Sequence, residues 1–484
     1  MDILLIYPPL SVKERYGSRK IGSSGGHLPP LGIAGIAAYL RKSGYDVGLI
    51  DALALDMTDE DICRHIASHK PKVVGLSALT SMFHRAASLA NVIRERFPEI
   101  LIMLGGQHAT IMAEEIFKAH DECFDLLVYG EGEATCLELM NIFKDTVYER
   151  QRLLGSPLLK NINGLIFKSG GSIIKTPVRS PIADLDSLPF PARELLPMDK
   201  YIPLPNQYKR LPVAHMISTR GCPYPCSFCS ASAVFGKKVR QMSPARVIAE
   251  IKHLMERYGA REISFWDDTM TIRKDWMMEF CDRMLSEGID ITWTCYGHVN
   301  TITKELLFKM KKAGCFNIFY GYESGDQRLL DMVDKGTTLD RIRQVNQWTK
   351  EAGIEIRASF MLGLPGETPE LARKTIDFAI ELDPDYAQFS LTTPYPGTSL
   401  WHQAKNYGNL KTDFSEYHGW SAVFLPSGYK NREELLSMEK EAMRRFYFRP
   451  RYILNKLKKI NGMVDLIRYI KGFRFALGFL RPPK

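Results

Sequence analysis

Arg220-Gly221-Cys222-Pro223-Tyr224-Pro225-Cys226-Ser227-Phe228-Cys229 decides how the rest of this chain is read. Its cysteines are spaced Cys-x3-Cys-x2-Cys. Three thiolates on one short loop can hold three irons of a four-iron, four-sulfur cluster, since thiolate is the usual ligand of such clusters. The fourth iron is then left without a protein ligand, and an open coordination position is what lets a bound metal act on a substrate. Pro223 and Pro225 stiffen the loop, and Gly221 lets the backbone enter it tightly. A zinc site or three unrelated buried cysteines are the alternatives. A structural zinc site closes with a fourth ligand, and no Cys or His nearby sits at knuckle spacing.

Strands and helices alternate around the loop. Strands are expected at 213–218, 262–267, 291–296, 317–322, 355–362 and 386–391, with amphipathic helices such as 244–258, 276–287 and 304–313 between them. That makes six βα units. Each strand ends in polar or glycine-rich residues, among them Asp267-Asp268, Glu323-Ser324-Gly325 and Gly363-Leu364-Pro365-Gly366. In a βα barrel the chemistry sits at that face.

The first 145 residues repeat the alternation, with near-continuous apolar strands at 2–7, 47–51, 73–77, 100–105 and 126–129 and a helix at 31–43. Such runs imply a parallel sheet covered on both faces, which binds ligands beyond its strand C-termini. Those ends carry Ser77 and Thr80, Gly105 and Gly106, and Gly130-Glu131-Gly132. Glycines allow close backbone approach, and hydroxyls can hold a polar ligand tail. Residues 146–205 read as a linker with a small hairpin and a proline-bearing stretch.

The cysteine spacing, with Phe228 just before the third cysteine, resembles the signature of the radical S-adenosylmethionine (radical SAM) superfamily. A preceding α/β domain with a double-glycine turn after its fourth strand and Gly130-Glu131-Gly132-Glu133 after its fifth resembles the cobalamin-binding members, the radical SAM methyltransferases and the anaerobic magnesium-protoporphyrin ester cyclases. The resemblance runs from residue 1 to about 425. It implies a Rossmann-like cobalamin-binding domain (1–145), a linker (146–205), a partial (β/α)6 radical SAM core (206–425) and a helical C-terminal extension (426–484). It also implies the cofactors: a 4Fe-4S cluster on Cys222, Cys226 and Cys229, S-adenosylmethionine and cobalamin. Phe228, Asp267, Asp268, Glu323, Arg357 and Gly363 are the expected S-adenosylmethionine contacts. The acids would pair its ammonium or ribose hydroxyls, and the arginine would fork onto its carboxylate. Ser77, Thr80, Gly105, Gly106, Gly130, Glu131 and Gly132 are the expected cobalamin contacts. The Asp-x-His-x-x-Gly motif that supplies a lower cobalt ligand in classical cobalamin domains is missing, and His27 is the one nearby candidate. The implied activity is methyl transfer from methylcobalamin to an unactivated carbon, started by a 5′-deoxyadenosyl radical. The alternative is oxidative cyclisation or ring rearrangement of a tetrapyrrole or lipid with the same parts.

Composition bounds the rest. The net charge of +9 is local: residues 430–484 carry 15 Lys and Arg against 5 Asp and Glu, so the body of the chain is neutral within one charge. Basic, apolar helices can cap an open barrel or lie on an anionic membrane surface. Nothing beyond charge suggests nucleic acid. The start reads as a strand with no basic leader, and the nine cysteines show no disulfide framework. A cytoplasmic, oxygen-poor setting is expected, with a small-molecule, lipid or pigment substrate and an external electron donor of the flavodoxin or ferredoxin type.

Overall fold

The computed structural model describes residues 1–11, 14, 26–460 and 462–480. The loop between the first strand and first helix falls partly outside them, but His27 lies within. Strands β1 (Ile3–Tyr7), β2 (Val47–Asp51), β3 (Val73–Ser77), β4 (Leu101–Gly105) and β5 (Leu126–Val128) alternate with helices α1 (Leu31–Lys42), α2 (Asp59–His69), α3 (Phe83–Arg96), α4 (Gln107–His120) and α5 (Gly132–Asp145). The strands pair in parallel in the order β2-β1-β3-β4-β5. Ile3, Leu5, Val73 and Leu101 enter one core, and Leu4, Ile6, Val74 and Ile102 enter another on the opposite face. Two cores explain why these strands are apolar at every position.

The segment expected as a linker is partly sheet. After α6 (Arg150–Leu154), strands β6 (Leu165–Ser169) and β7 (Ser172–Lys175) add antiparallel to β5. Leu165, Ile166 and Phe167 are at most 1% exposed, so burial outweighs the boundary signal. The expected hairpin turns at Gly170 and Gly171, both at positive φ.

β8 (Val213–Met216) opens the second sheet. A short antiparallel pair, β9 (Thr219–Arg220) and β10 (Arg240–Gln241), then brackets the cysteine loop and α7 (Ala231–Phe235). α8 (Pro244–Tyr258), β11 (Glu262–Phe265), α9 (Lys274–Ser286), β12 (Thr292–Gly297), α10 (Lys304–Lys312), β13 (Cys315–Glu323), α11 (Gln327–Met332), α12 (Leu339–Glu351), β14 (Glu355–Leu362), α13 (Pro369–Leu382) and β15 (Tyr386–Leu391) follow. Local chemistry sets these bounds. Ser243 caps α8 by accepting from the Arg246 N–H, Pro244 opens it, and Gly259 closes it in the left-handed region. The six strands run parallel in the order β15-β14-β13-β12-β11-β8. β8 and β15 are edges that do not pair with each other, so the barrel is open on one side.

The remainder comprises α14 (Ser399–Tyr407), the hairpin β16 (Gly408–Leu410) and β17 (Phe424–Pro426), and helices α15 (Arg432–Tyr447), α16 (Pro450–Lys458) and α17 (Met463–Leu480). α15 buries Leu435, Met438, Ala442, Met443 and Phe446 in the barrel's outer core. It flanks the last βα units. Among the described residues, no helix is long and apolar enough to cross a membrane.

Candidate active site

Asp267, at the end of β11, organises the start of the cysteine loop. Its Oδ1 accepts from the N–H groups of Ser218 and Thr219 (2.6 Å each) and from the Thr219 hydroxyl (3.0 Å), and its Oδ2 accepts from the Ser218 hydroxyl (2.8 Å). Burial raises its pKa to about 6, against the pull of these donors. Asp267 therefore positions the loop; both oxygens are engaged by the chain itself, which departs from its expected role as an S-adenosylmethionine handle. Gly221 follows with φ +93°, where a Cβ would come 2.5 Å from the Lys238 carbonyl oxygen. Farther on, Ser227 donates its N–H to the Val333 carbonyl and accepts from the Leu400 N–H. The Tyr224 ring stacks on His298, with centroids 3.7 Å apart. The loop is thus held at four places before any metal binds.

Cys222 and Cys226 are half-buried and Cys229 is exposed, whereas the other six cysteines are buried. Glu323, the last residue of β13 and at φ +62°, pairs with Lys335 at 2.8 Å, and both are less than 9% exposed. Burial lowers the Lys335 pKa, but Glu323 and the thiols of Cys226 and Cys229 outweigh it and leave the ammonium stabilised. The same ammonium stands 5.9 Å above the Phe228 ring, which packs with Val333 and Met361. Asp268 is exposed beside the loop.

Arg357 lies away from the barrel mouth, whereas Gly363 directly follows β14 at it. Arg357 sits near the start of β14, roughly 17 Å of strand below its C-terminal end. It donates to Asn317 Oδ1 at 2.9 Å and lies over the Phe319 ring at 5.0 Å, lining the lower barrel and not the mouth. Gly363 has φ +80°, and a Cβ there would meet Leu435 of α15 at 3.1 Å. Its glycine serves the turn and the packing of that helix.

The strand ends of the N-terminal sheet face the same region. Gly106, at φ +94°, brings α4 so close to β3 that a Cβ would stand 2.8 Å from Ala78 N and O and from Ser77 Oγ. Thr80 Oγ1 lies 3.2 Å from His108 Nδ1. His108 is 1% exposed, and its Nε2 has no partner among the described residues. Burial alone depresses its pKa to about 4. Gly130 takes φ +80° and donates its N–H to Thr110. Glu131 and Gly132 do other work. Glu131 is bound by Arg220 (3.2 Å), Arg240 (2.5 Å) and the Ile182 N–H (2.8 Å). Burial pushes its carboxyl up, yet these partners hold it below the usual range. A Cβ on Gly132 would meet Ile36 at 2.9 Å, so that glycine seats α5 against α1. Glu133 also pairs with Arg220, at 2.5 Å. Arg220 and Arg240 thus tie the turn after β5 to both arms of the cysteine loop. Gly397, beyond β15, abuts Ile111 of α4. The C-terminal faces of the two sheets therefore oppose each other.

Sequence reading missed Arg220, Arg240, Glu133, His298 and Lys335. Arg220, two residues before Cys222, and Glu133, in the turn after β5, carried signals; the others did not. His27 is half-buried, with the Gly26 N–H donating to the Ile202 carbonyl.

The residues present fit the expected groups. Among the described residues, no three His, Cys, Asp or Glu converge on a single-ion site. The three thiols share one loop and are less buried than the other six cysteines, which suits ligands of an iron–sulfur cluster. The Gly106 crevice and the orphaned His108 Nε2 suit a polar cofactor at the strand ends.

Comparison with known proteins agrees. Residues 20–140 match the B12 binding domain, and residues 216–379 match the Radical SAM superfamily. An uncharacterized methyltransferase of Pyrococcus horikoshii is 35% identical over 98% of both chains. The anaerobic magnesium-protoporphyrin IX monomethyl ester cyclase of Rubrivivax gelatinosus is 30% identical over 94% of this chain and 78% of its own. Among solved structures, the methyltransferase TsrM of Kitasatospora setae, with cobalamin and a [4Fe-4S] cluster bound, superposes over 99% of both chains at a TM-score of 0.70 and 16% identity, showing the same fold. With a B12-binding domain, a radical SAM domain and relatives that match almost end to end, the chain belongs to the cobalamin-binding radical SAM enzymes.

Proposed function

We propose that the chain is a methyltransferase that adds a methyl group to an unactivated carbon, using a 4Fe-4S cluster, S-adenosylmethionine and cobalamin. The observation that carries this reading is the apposition of the two strand-end faces, held by Arg220 and Arg240 on Glu131 and Glu133. A reacting carbon between them can meet a radical source on one side and a methyl donor on the other. When bound, the cluster supplies the electron that splits S-adenosylmethionine to a 5′-deoxyadenosyl radical, and methylcobalamin supplies the methyl group.

The chain's own residues bind and orient. Cys222, Cys226 and Cys229 would hold three irons of the cluster. Asp268, exposed at the mouth, is suited to the methionyl ammonium or ribose diol. Lys335 offsets negative charge at the thiolates, and Glu323 fixes Lys335 in place. Ser77, Thr80, Gly105, Gly106 and Gly130 shape the cobalamin crevice, and His108 offers it a buried ring nitrogen. His27 is a further residue that would be available to ligate the cobalt. The reading carries with it an external flavodoxin- or ferredoxin-type reductant and a cytoplasmic oxygen-poor setting, with the basic extension capping the barrel and membrane contact as the alternative.

The test is anoxic incubation of the reconstituted, reduced protein with S-adenosylmethionine and cobalamin. 5′-Deoxyadenosine together with S-adenosylhomocysteine is expected, and both should vanish when Cys222, Cys226 and Cys229 become Ala. Deoxyadenosine without S-adenosylhomocysteine, in the presence of substrate, would favour the second reading, oxidative cyclisation, which the 30% identity to an ester cyclase supports.

A further inference from the structure

The open side of the barrel is covered by the C-terminal extension, and the cover is hollow. α16 and α17 run from the β15 edge toward the segment preceding β8. There Arg468 donates to the Pro205 carbonyl at 3.1 Å and lies over the Tyr208 ring at 5.5 Å. On the other edge, Lys456 stands 4.0 Å above the Tyr386 ring. Between the edges is a cavity of about 600 Å³. Phe389, Trp420, Tyr447, Ile453, Leu457 and Phe473 are among its walls. Lys456, Arg468 and Arg474 are the charged residues lining it; Lys456 is already paired with Asp385 at 3.3 Å.

Three features mark this as a binding site and not a packing defect. Its volume is that of a small-molecule pocket, lined mainly by apolar and aromatic side chains with a few polar groups. Its rim leaves apolar side chains open: Leu457 is 58% exposed and Phe473 50%. Finally, the charge of its lining has one sign, in the segment that holds the whole basic surplus of the chain.

We propose that this side cavity binds a long-chain lipid with an acidic head group. The chain lies along Phe389, Ile453, Leu457 and Phe473, and the acid meets Arg474, the exposed cation of the lining. The site lies beside the lower strand of β15, apart from the cysteine loop. Lipid binding there does not require the proposed methyl transfer; a role for that lipid as substrate rests on that reading.

The test titrates the reconstituted full-length protein with 11-(dansylamino)undecanoic acid, a fluorescent long-chain carboxylate, and reads emission. Saturable, blue-shifted binding is expected. Gly472 lines the cavity, and a Cβ there meets nothing within 4 Å, so Gly472→Phe fills space without a backbone clash. It should weaken binding at least tenfold, as should Ile453→Trp, with thermal midpoints and 5′-deoxyadenosine formation kept. Cys222→Ala should lose deoxyadenosine formation and still bind the probe, which separates this site from the radical chemistry. The proposal is overturned if the wild type does not bind the probe, if both filling variants bind it as the wild type does, or if an uncharged dansyl-alkyl amide of equal length binds equally well. Sedimentation with phosphatidylglycerol vesicles in the absence of free-probe binding would likewise replace the cavity with a surface contact.

Discussion

At the scale of single residues, the site is built from groups that hold other groups. Asp267 accepts four hydrogen bonds from Ser218 and Thr219, so Asp267→Ala leaves buried donors unmet and frees the entry to the cysteine loop. Iron bound per chain should fall by more than half, read by iron and sulfide analysis. Asp268→Asn should load iron normally and raise the KM for S-adenosylmethionine about tenfold, as expected for loss of one charge-assisted contact. Lys335→Met strands the buried Glu323 carboxylate and should cost about 3–5 kcal/mol in denaturant unfolding; adding Glu323→Gln should restore most of it. His108 gives a pH signature. Its folded pKa, about 4, lies below the unfolded value near 6.5. The unfolded chain binds the extra proton between those values, so stability is lost as pH falls through that window. The loss by pH 5 should be about 2 kcal/mol. Denaturant midpoints at pH 7 and pH 5 measure it, and His108→Leu should flatten the difference.

At the scale of elements, turns matter more than strands. Gly106 is confined mainly by the Ala78 backbone, with Ser77 Oγ beside it, so Gly106→Ala combines strain with a collision against Ala78. It should cost about 2 kcal/mol or more and weaken cobalamin binding, followed by visible absorbance. The elements themselves were readable because their causes are local. Ser243, Pro244 and Gly259 mark α8 in order, and unbroken apolar runs mark doubly covered strands. The β6–β7 hairpin was legible around Gly170 and Gly171, but its docking onto β5 was not, because the proline-bearing stretch after it reads as a boundary. Only the burial of Leu165 to Phe167 on β5 reveals it.

Across the whole molecule, the cysteine loop and both parallel sheets were legible, while the join between them was not. Arg220 meets Glu133 across 87 positions of sequence, and no spacing rule reaches so far. Arg357 shows the reverse error: its strand was identified correctly, but its depth below the mouth depends on where along β14 the barrel opens. The hollow cover formed by α16 and α17 depends on how three helices meet two sheet edges, which periodicity alone does not determine.

Arg220 lies two residues before Cys222 and grips the turn that follows β5. Any ligand that settles that turn must also settle the cluster loop, and the converse holds with equal force. Linkage requires the two effects to be the same factor. If loading the cluster tightens cobalamin binding fivefold, cobalamin must tighten cluster retention fivefold, and Arg220→Gln should bring both ratios toward one together. The two halves of the enzyme would then be assembled as a matched pair, each cofactor reporting the arrival of the other.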